Sequence, residues 1–236
     1  MARGKAEQRR PVNAPLIELV NASVDLNGER RLVGISFNVT RGEFVCLHGS
    51  TGSGKSLSLK LIAGLIRPSA GEVRVAGELI NDFTEREKLW MRRSMGIMVQ
   101  DMQLLEDRSV LENVMLPALA SEASFSEAKK RAGSALRKCR IEHLARLSPR
   151  ELSAGQKQLA LLARAVVNHP VVILADEPAA HLDAENAQIL MDLLGEFSLA
   201  GVCVILASHL ELMPRSVACR SIHLDGRQSS VRETPS

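Results

Sequence analysis

Short apolar runs of strand length alternate with polar breaks in residues 16–44 and again in residues 71–80. The runs within residues 16–44 are interrupted at Asn27-Gly28 and at Arg41-Gly42, which are turn-forming pairs. A further β stretch covers residues 71–80. This pattern predicts a mainly antiparallel β layer in the N-terminal part of the chain.

In residues 101–150 the apolar residues recur at helical spacing, and Ser126 is a predicted helix N-cap. The apolar residues at helical spacing behind it are Ala128, Ala132, Leu136 and Cys139. From residue 166 onward, two apolar β runs alternate with helical segments, which is typical of a parallel sheet. We therefore predict an α/β fold with a mixed parallel core sheet, an N-terminal antiparallel β layer and an inserted helical subdomain at about 101–155.

A glycine-rich stretch joins an apolar run to a helical one and matches the pattern G-x-x-x-x-G-K-S of a phosphate-binding loop. Its glycines let successive backbone N–H groups face a phosphate, Lys55 can reach the β- and γ-phosphate oxygens, and Ser56 can ligate Mg²⁺. An ordinary Gly/Ser-rich turn is the alternative, and the complete strand–loop–helix context disfavours it. The predicted nucleotide contacts here are Gly49, Ser50, Thr51, Gly52, Ser53, Gly54, Lys55, Ser56 and Leu57.

A second candidate site follows the continuous apolar run of residues 171–175, which ends in Asp176 and Glu177. Such a run fits a central parallel strand, and acids at its carboxyl end fall in the crevice where open α/β sheets bind ligands. We expect Asp176 to hold Mg²⁺, directly or through water, and Glu177 to act as the general base for the attacking water. The alternative is that both acids cap the following helix or loop.

Two other apolar runs also end in polar groups, at Gln100 and at Ser208-His209. An amide and an imidazole at strand ends suit water positioning and γ-phosphate sensing, although each alone is more often structural. Gln100 and His209 are therefore catalytic candidates, and Gln100 is also a candidate Mg²⁺ ligand.

Residues 152–156, Leu-Ser-Ala-Gly-Gln, precede an apolar helical stretch. Free N–H groups at such a helix start can bind an anion, and a serine hydroxyl can add a contact. The predicted second phosphate contacts are Ser153, Ala154, Gly155 and Gln156, with an ordinary helix N-cap as the alternative.

Composition narrows the class of protein. The 236 residues are 45% hydrophobic and 24% charged, which fits one sizeable domain at residues 15–226 with polar, flexible tails at 1–14 and 227–236. The net charge is +3, only 3% of the residues are aromatic and there is no tyrosine, so we do not expect a nucleic-acid partner.

The four cysteines lie far apart in the sequence, which indicates reduced, structural thiols. The sequence has no apolar segment long enough to predict a membrane span, and no apolar core of a signal peptide. Any membrane role would therefore come through a partner.

The order of these motifs resembles the ATP-binding subunits of ABC transporters over roughly residues 16–226. The resemblance implies a head-to-tail homodimer with two ATP molecules, each held by the phosphate loop of one chain and by Ser153 to Gln156 of the other. It places Asp183, in the stretch Ala-His-Leu-Asp, at the dimer interface. It further implies that ATP closes the dimer, that hydrolysis opens it, and that the motion passes to membrane-embedded partner helices docked beside the Gln100 loop and the helical subdomain.

Within that family, residues 100–114 resemble the cell-division ATPases of the FtsE type. This implies an integral membrane FtsX-like partner, a position on the cytoplasmic face of the cell membrane, and control of peptidoglycan hydrolysis. Lipoprotein-releasing ATPases of the LolD type are the alternative, and an ATP-dependent dimerising scaffold with little hydrolysis is another. A soluble ABC ATPase of translation or DNA repair is disfavoured, because the chain has neither a second cassette nor a long coiled-coil insertion.

The sequence departs from the family pattern at four positions. Leu26 stands where an adenine-stacking aromatic is expected, which exchanges a contact of about 0.5–1.5 kcal/mol for apolar packing. In the stretch at residues 152–156, Ala154 stands where the family usually has its first glycine. Leu159 stands where an arginine is frequent, and Ala179 stands where Thr or Ser usually follows Glu-Pro. With the remaining motif residues intact, we expect weak but real ATPase activity, with ATP and Mg²⁺ as cofactors.

Overall fold

The computed structural model describes residues 14–100, 102–209 and 212–225, and the main chain of 232–235. The strands are β1 Ile17–Leu26, β2 Glu29–Val39, β3 Phe44–His48, β4 Ala70–Val75, β5 Glu78–Leu79, β6 Met95–Met98, β7 Val172–Asp176, β8 Cys203–Ala207, β9 Cys219–His223 and β10 Arg232–Pro235. The helices are α1 Lys55–Ile62, α2 Glu85–Arg92, α3 Val110–Ala120, α4 Phe125–Lys138, α5 Ala154–Val166 and α6 Ala184–Leu199. Within the described ranges, no helix is both long and apolar enough to cross a membrane.

The N-terminal strands form the predicted antiparallel layer. Its strand order is β2-β1-β4-β5, and β1 pairs with both β2 and β4 in antiparallel register. The turn between β1 and β2 falls at Asn27-Gly28, where both residues have positive φ. The sequence therefore located this layer and its first turn correctly, because alternating apolar residues and a turn pair are both local signals.

A second sheet has the order β10-β9-β3-β8-β7-β6, in which all pairs are parallel except β10 with β9. The predicted mixed, mainly parallel core sheet is confirmed. The prediction of a tail at 227–236 is wrong for residues 232–235, which pair along the outer edge of β9. An edge strand is held by main-chain hydrogen bonds and needs no apolar alternation, so its sequence gives no strand signal. Residues 1–13, 227–231 and 236 of the predicted tails lie outside the described residues.

The core lies on both faces of the parallel sheet. Alternate residues of β7 point to opposite faces: Ile173 and Ala175 pack with the helices α3 to α6, while Val172 and Leu174 pack with α1 and the antiparallel layer. All five residues of β7 are buried, as expected for a central strand covered on both sides. All four cysteines are buried thiols.

The part of the chain between β6 and β7 contains α3, α4 and α5. The helices α3 and α4 and the start of α5 fall in the region predicted for the subdomain. The four residues at helical spacing, Ala128, Ala132, Leu136 and Cys139, are all buried. The predicted N-cap is wrong by two residues, since the Ser124 hydroxyl accepts the hydrogen bond from Glu127 N and Ser126 lies in the first turn. Phe125 between the two serines is exposed, so the apolar pattern did not mark the true start.

Candidate nucleotide-binding site

The glycine-rich loop connects the end of β3 to the start of α1. A Cβ atom on Gly49 would lie 2.4 Å from Leu224 O, and one on Gly54 would lie 2.2 Å from Leu32 Cδ1. Both glycines have positive φ, at +148° and +99°, and Gly54 is the N-cap of α1. The close packing and the backbone conformation therefore both require glycine, and they leave the loop amides at a helix start, where anions bind.

Lys55, predicted to bind phosphate, and Ser56, predicted to ligate Mg²⁺, both form hydrogen bonds within the protein. Lys55 is only 7% exposed, and its Nζ donates to Gly49 O at 2.7 Å and to Ser50 O at 3.2 Å. Ser56 Oγ donates to Asp176 Oδ1 at 3.0 Å. The phosphate loop and the acid at the end of β7 are thus joined directly, although 120 residues separate them in the sequence.

Asp176 is the last residue of β7 and is buried. Burial raises the pKa of its carboxyl above the ordinary value, and the neighbouring Glu177 charge acts in the same direction; the hydrogen bond from Ser56 opposes both. A buried carboxylate whose charge is incompletely compensated fits a cation-binding role.

We predict that Asp176→Asn stabilises the nucleotide-free chain. Since the pKa is raised by folding, the folded chain binds more protons than the unfolded chain between the two pKa values, and the free energy of unfolding falls as pH rises through that window. The amide removes this cost, so the melting temperature at neutral pH should rise, and the difference should shrink as pH falls toward the ordinary aspartate pKa. Scanning calorimetry against pH checks this, with the exposed Asp82→Asn as control; a lower melting temperature for Asp176→Asn at neutral pH would contradict it.

Glu177 directly follows β7 and is fixed by both its main chain and its side chain. Its N–H donates to Ala207 O at 2.8 Å, and its φ is +48°. His209 Nδ1 lies 2.8 Å from Glu177 Oε2, and Ser208 Oγ donates to the same oxygen at 3.5 Å. The Glu177 side chain is 13% exposed and that of His209 is 60% exposed, so the pair faces an open space.

These elements surround a cleft of about 600 Å³. It is lined by predicted residues from the glycine-rich loop and from four other segments, namely Leu26, Thr51, Gly52, Ser53, Gly54, Lys55, Ser56, Leu57, Gln100, Glu177 and His209. It is also lined by four residues that sequence reasoning did not assign to the site: Asn27, Arg31, Ala180 and His181. Asn27 and Arg31 are close to Leu26 in the sequence, and this is the only sequence feature that points to them. Their position at the cleft depends on how the N-terminal layer packs against the glycine-rich loop, which no local pattern predicts.

The predicted second phosphate site lies at the start of α5 and does not line this cleft. Ser153 Oγ accepts from Gln156 N at 3.2 Å, and Gln156 Oε1 accepts from Ser153 N at 2.9 Å. This reciprocal pair is a capping box, so the ordinary N-cap alternative is realised in the structure. Asp183, the N-cap of α6, likewise lies outside the cleft.

The starts of α5 and α6 contact each other through Asn186. A Cβ atom on Gly155 would lie 2.5 Å from Asn186 Oδ1, so the glycine leaves room for the amide. Asn186 donates through its backbone N to Asp183 Oδ1 at 2.8 Å and through Nδ2 to Asp183 Oδ2 at 2.7 Å. These bonds hold the pKa of Asp183 below its ordinary value.

The residues proposed for Mg²⁺ supply oxygen donors: the Ser56 hydroxyl, the Asp176 carboxylate and the Gln100 amide. This donor set fits a hard cation that is bound through few protein groups together with phosphate oxygens. Over the residues that the structure describes, no group of three or more His, Cys, Asp or Glu side chains is placed to hold a metal. A cation at Asp176 would therefore depend on a phosphate ligand as well.

Comparisons with known proteins agree with this geometry. The pattern of the family described as "ABC transporter" matches residues 32–180. The chain is 41% identical over 184 residues to the cell division ATP-binding protein FtsE of Escherichia coli strain K12, covering 78% of this chain and 83% of the relative. It superimposes with a TM-score of 0.83 and 33% identity on the dimeric structure of MJ0796, a bacterial ABC transporter cassette, covering 93% of this chain and 98% of that one. A post-hydrolysis state of the same cassette, bound to ADP and Pi, gives a TM-score of 0.81 and 32% identity over 93% and 98% of the two chains.

Proposed function

Because the chain belongs to the ABC transporter family and is an ATP-binding ATPase subunit of it, we propose that it serves an FtsX-like integral membrane partner in cell division. In this role it lies at the cytoplasmic face of the cell membrane and couples ATP hydrolysis to the control of peptidoglycan hydrolysis. The observation that carries the proposal is its 41% identity, over 78% of the chain, to a cell-division ATP-binding protein.

The positions of the residues around the cleft support a separate role for each of them in ATP hydrolysis. Residues 49–56 bind the phosphates, with Lys55 exchanging its loop carbonyls for phosphate oxygens. Glu177 acts as general base for the attacking water, and His209 orients its carboxylate through the 2.8 Å contact. Gln100, exposed at the end of β6, positions the water and responds to the γ-phosphate. Ser56, Asp176 and Gln100 hold Mg²⁺, which neutralises charge on the phosphates when bound.

We further propose that two copies complete each other's sites. The residues Ser153 to Gln156 and Asp183 lie outside the cleft of their own chain, although the start of α5 is suited to an anion. In a head-to-tail homodimer they would face the ATP held by the second copy. The dimeric cassette with a TM-score of 0.83 supports two-fold assembly of this fold.

A groove of about 350 Å³ between α2, β6, α3 and α5 is the surface that we assign to the membrane partner. Leu89 is 57% exposed at this groove, and Trp90 beside it on α2 is 61% exposed, with the Arg93 guanidinium 4.6 Å from its ring centroid. Arg92, Arg93 and Arg164 also line the groove. An apolar surface with a cationic rim fits a helix with an apolar face and acidic flanking residues.

We predict that Leu89→Glu removes the membrane partner while leaving ATP binding intact. A carboxylate at this position would replace the exposed apolar contact, would compete with the partner for Arg92 and Arg93 of the rim, and would repel acidic residues of the docked helix. The measurement is a pull-down from native membranes with the Glu177→Gln chain in Mg-ATP, and recovery of the partner should fall at least about tenfold. Phe125→Glu is the matched control, because Phe125 is 68% exposed on α4 and does not line the groove.

The identity of the recovered protein tests the finer proposal. A small membrane subunit with a large extracytoplasmic segment, concentrated at the division site, is the expected result. A permease pair that handles lipoproteins would move the chain to the LolD type. Recovery of no membrane protein, with ATP-dependent dimers still formed, would favour the scaffold alternative.

A further inference from the structure

The nucleotide cleft has one wall that the phosphate-binding motif does not supply. Leu26, Asn27 and Arg31 come from the β1–β2 hairpin, and Leu26 is 40% exposed. The chain has no tyrosine, and none of its Phe or Trp residues lines the cleft. A nucleotide bound through its phosphates therefore meets an apolar side chain and an arginine on this wall, with no Phe, Tyr or Trp.

Packing between the two sheets fixes this arginine next to the phosphate loop. Leu32, the next residue on β2, is fully buried and reaches into the space where a Cβ atom of Gly54 would lie, 2.2 Å from its Cδ1. Across the hairpin, Leu26 pairs with Glu29 in the β-sheet register. Leu26 and Arg31 line the cleft, and Glu29 lies beside both of them, opposite Leu26 in the register and in contact with Arg31.

The ion pair of Arg31 defines which part of its guanidinium is available. Arg31 Nη2 lies 2.7 Å from Glu29 Oε2, so one edge of the guanidinium faces a carboxylate. The faces of the guanidinium plane stay open to flat π systems, on which arginine stacks well. A phosphate bound at that Nη2 edge would be brought close to the Glu29 carboxylate, and the two anions would repel each other.

We infer that Arg31 is a base-stacking residue of the nucleotide site. Its guanidinium lies over one face of the nucleobase, Glu29 holds the guanidinium in that orientation, and Leu26 adds apolar contact. The pair takes the place of an aromatic ring on this wall. The inference rests on the proposed function, since it requires the nucleotide phosphates to occupy the loop at residues 49–56.

The test compares the binding of ATP and of inorganic tripolyphosphate by titration calorimetry on the full chain. Arg31→Ala should weaken ATP binding about two- to fivefold and leave tripolyphosphate binding unchanged. Arg31→Lys should also weaken ATP binding, because lysine keeps the positive charge but has no planar group that can stack on the base. Arg30→Ala is the matched control: its side chain is 74% exposed, it lies near Asp25, and it does not line the cleft. Leu26→Tyr should strengthen ATP binding about two- to tenfold by restoring a ring.

Three results would overturn the inference. Equal weakening of ATP and tripolyphosphate by Arg31→Ala would make Arg31 a phosphate contact. Unchanged ATP binding by Arg31→Ala would remove it from the site. Full rescue by Arg31→Lys would show that charge alone is used. Failure of the unmodified chain to bind either ligand is a different outcome, because it would refute the proposed nucleotide site itself.

Discussion

Replacing Glu177 by glutamine is expected to lower the rate of phosphate release by about 10²- to 10⁴-fold while ATP binding is retained. The amide has nearly the same shape as the carboxylate and cannot accept the proton of the attacking water. The site around it is otherwise preserved, since the main-chain bond from Glu177 N to Ala207 O does not involve the side chain. Steady-state phosphate release and gel filtration in Mg-ATP measure the two effects, and the variant should accumulate as an ATP-bound dimer.

The matched control is Glu185→Gln, which removes the same charge from the exposed first turn of α6. It should release phosphate at the rate of the unmodified chain. If Glu177→Gln does so as well, Glu177 is not the base, and the role proposed for His209 in orienting its carboxylate loses its basis. If Glu185→Gln is the slower of the two, the acid at the helix start would be the residue to pursue.

Lys55→Ala is expected to weaken ATP binding on the order of 100-fold. A charge-assisted hydrogen bond contributes about 1.5–3 kcal/mol, and Lys55 is the loop side chain placed to form such bonds with the terminal phosphates. The variant also leaves Gly49 O and Ser50 O without the ammonium that they accept from, so the loop itself should lose definition. Titration with ATP measures the affinity, and circular dichroism shows whether the chain is folded.

Lys60→Ala on the same helix is the comparison for charge alone, because Lys60 does not line the cleft. It should weaken ATP binding only slightly. A Lys55→Ala variant that is folded and binds ATP as well as the Lys60→Ala variant would contradict the assignment of the loop. If Lys55→Ala does not fold, Lys55→Met, which keeps the length and apolar part of the side chain, carries the test instead.

The sequence predicted the parts of the site that are contiguous in the chain. The glycine-rich loop and the acids at the end of β7 each follow an apolar strand directly, so each is visible as a local pattern. Parallel strands present their carboxyl ends at the same edge of a sheet, and this rule predicts that the two lie side by side. The bond between Ser56 and Asp176 is the direct outcome of that rule. Leu26 was assigned to the same cleft by resemblance, and it lines the cleft as well.

The parts that could not be predicted depend on contacts between distant layers. Arg31 and Asn27 reach the cleft because Leu32 seats β2 against Gly54, and no local pattern encodes that approach. The edge strand β10 carries no apolar alternation, so its polar sequence predicts a tail, and only its pairing with β9 shows a strand. At α4, two serines competed for the same cap, and the exposed Phe125 gave no information on which one starts the helix.

The contact between Gly155 and Asn186 has a mechanical consequence. Because the Asn186 side chain fills the space above Gly155 and also binds both oxygens of Asp183, the first turns of α5 and α6 cannot tilt independently without breaking that contact. A displacement imposed on the start of α5 is therefore passed to the start of α6 through Asn186, in addition to the core that the two helices share. The first turns of these two helices thus form one mechanical unit, although 29 residues separate Gly155 from the α6 start at Ala184.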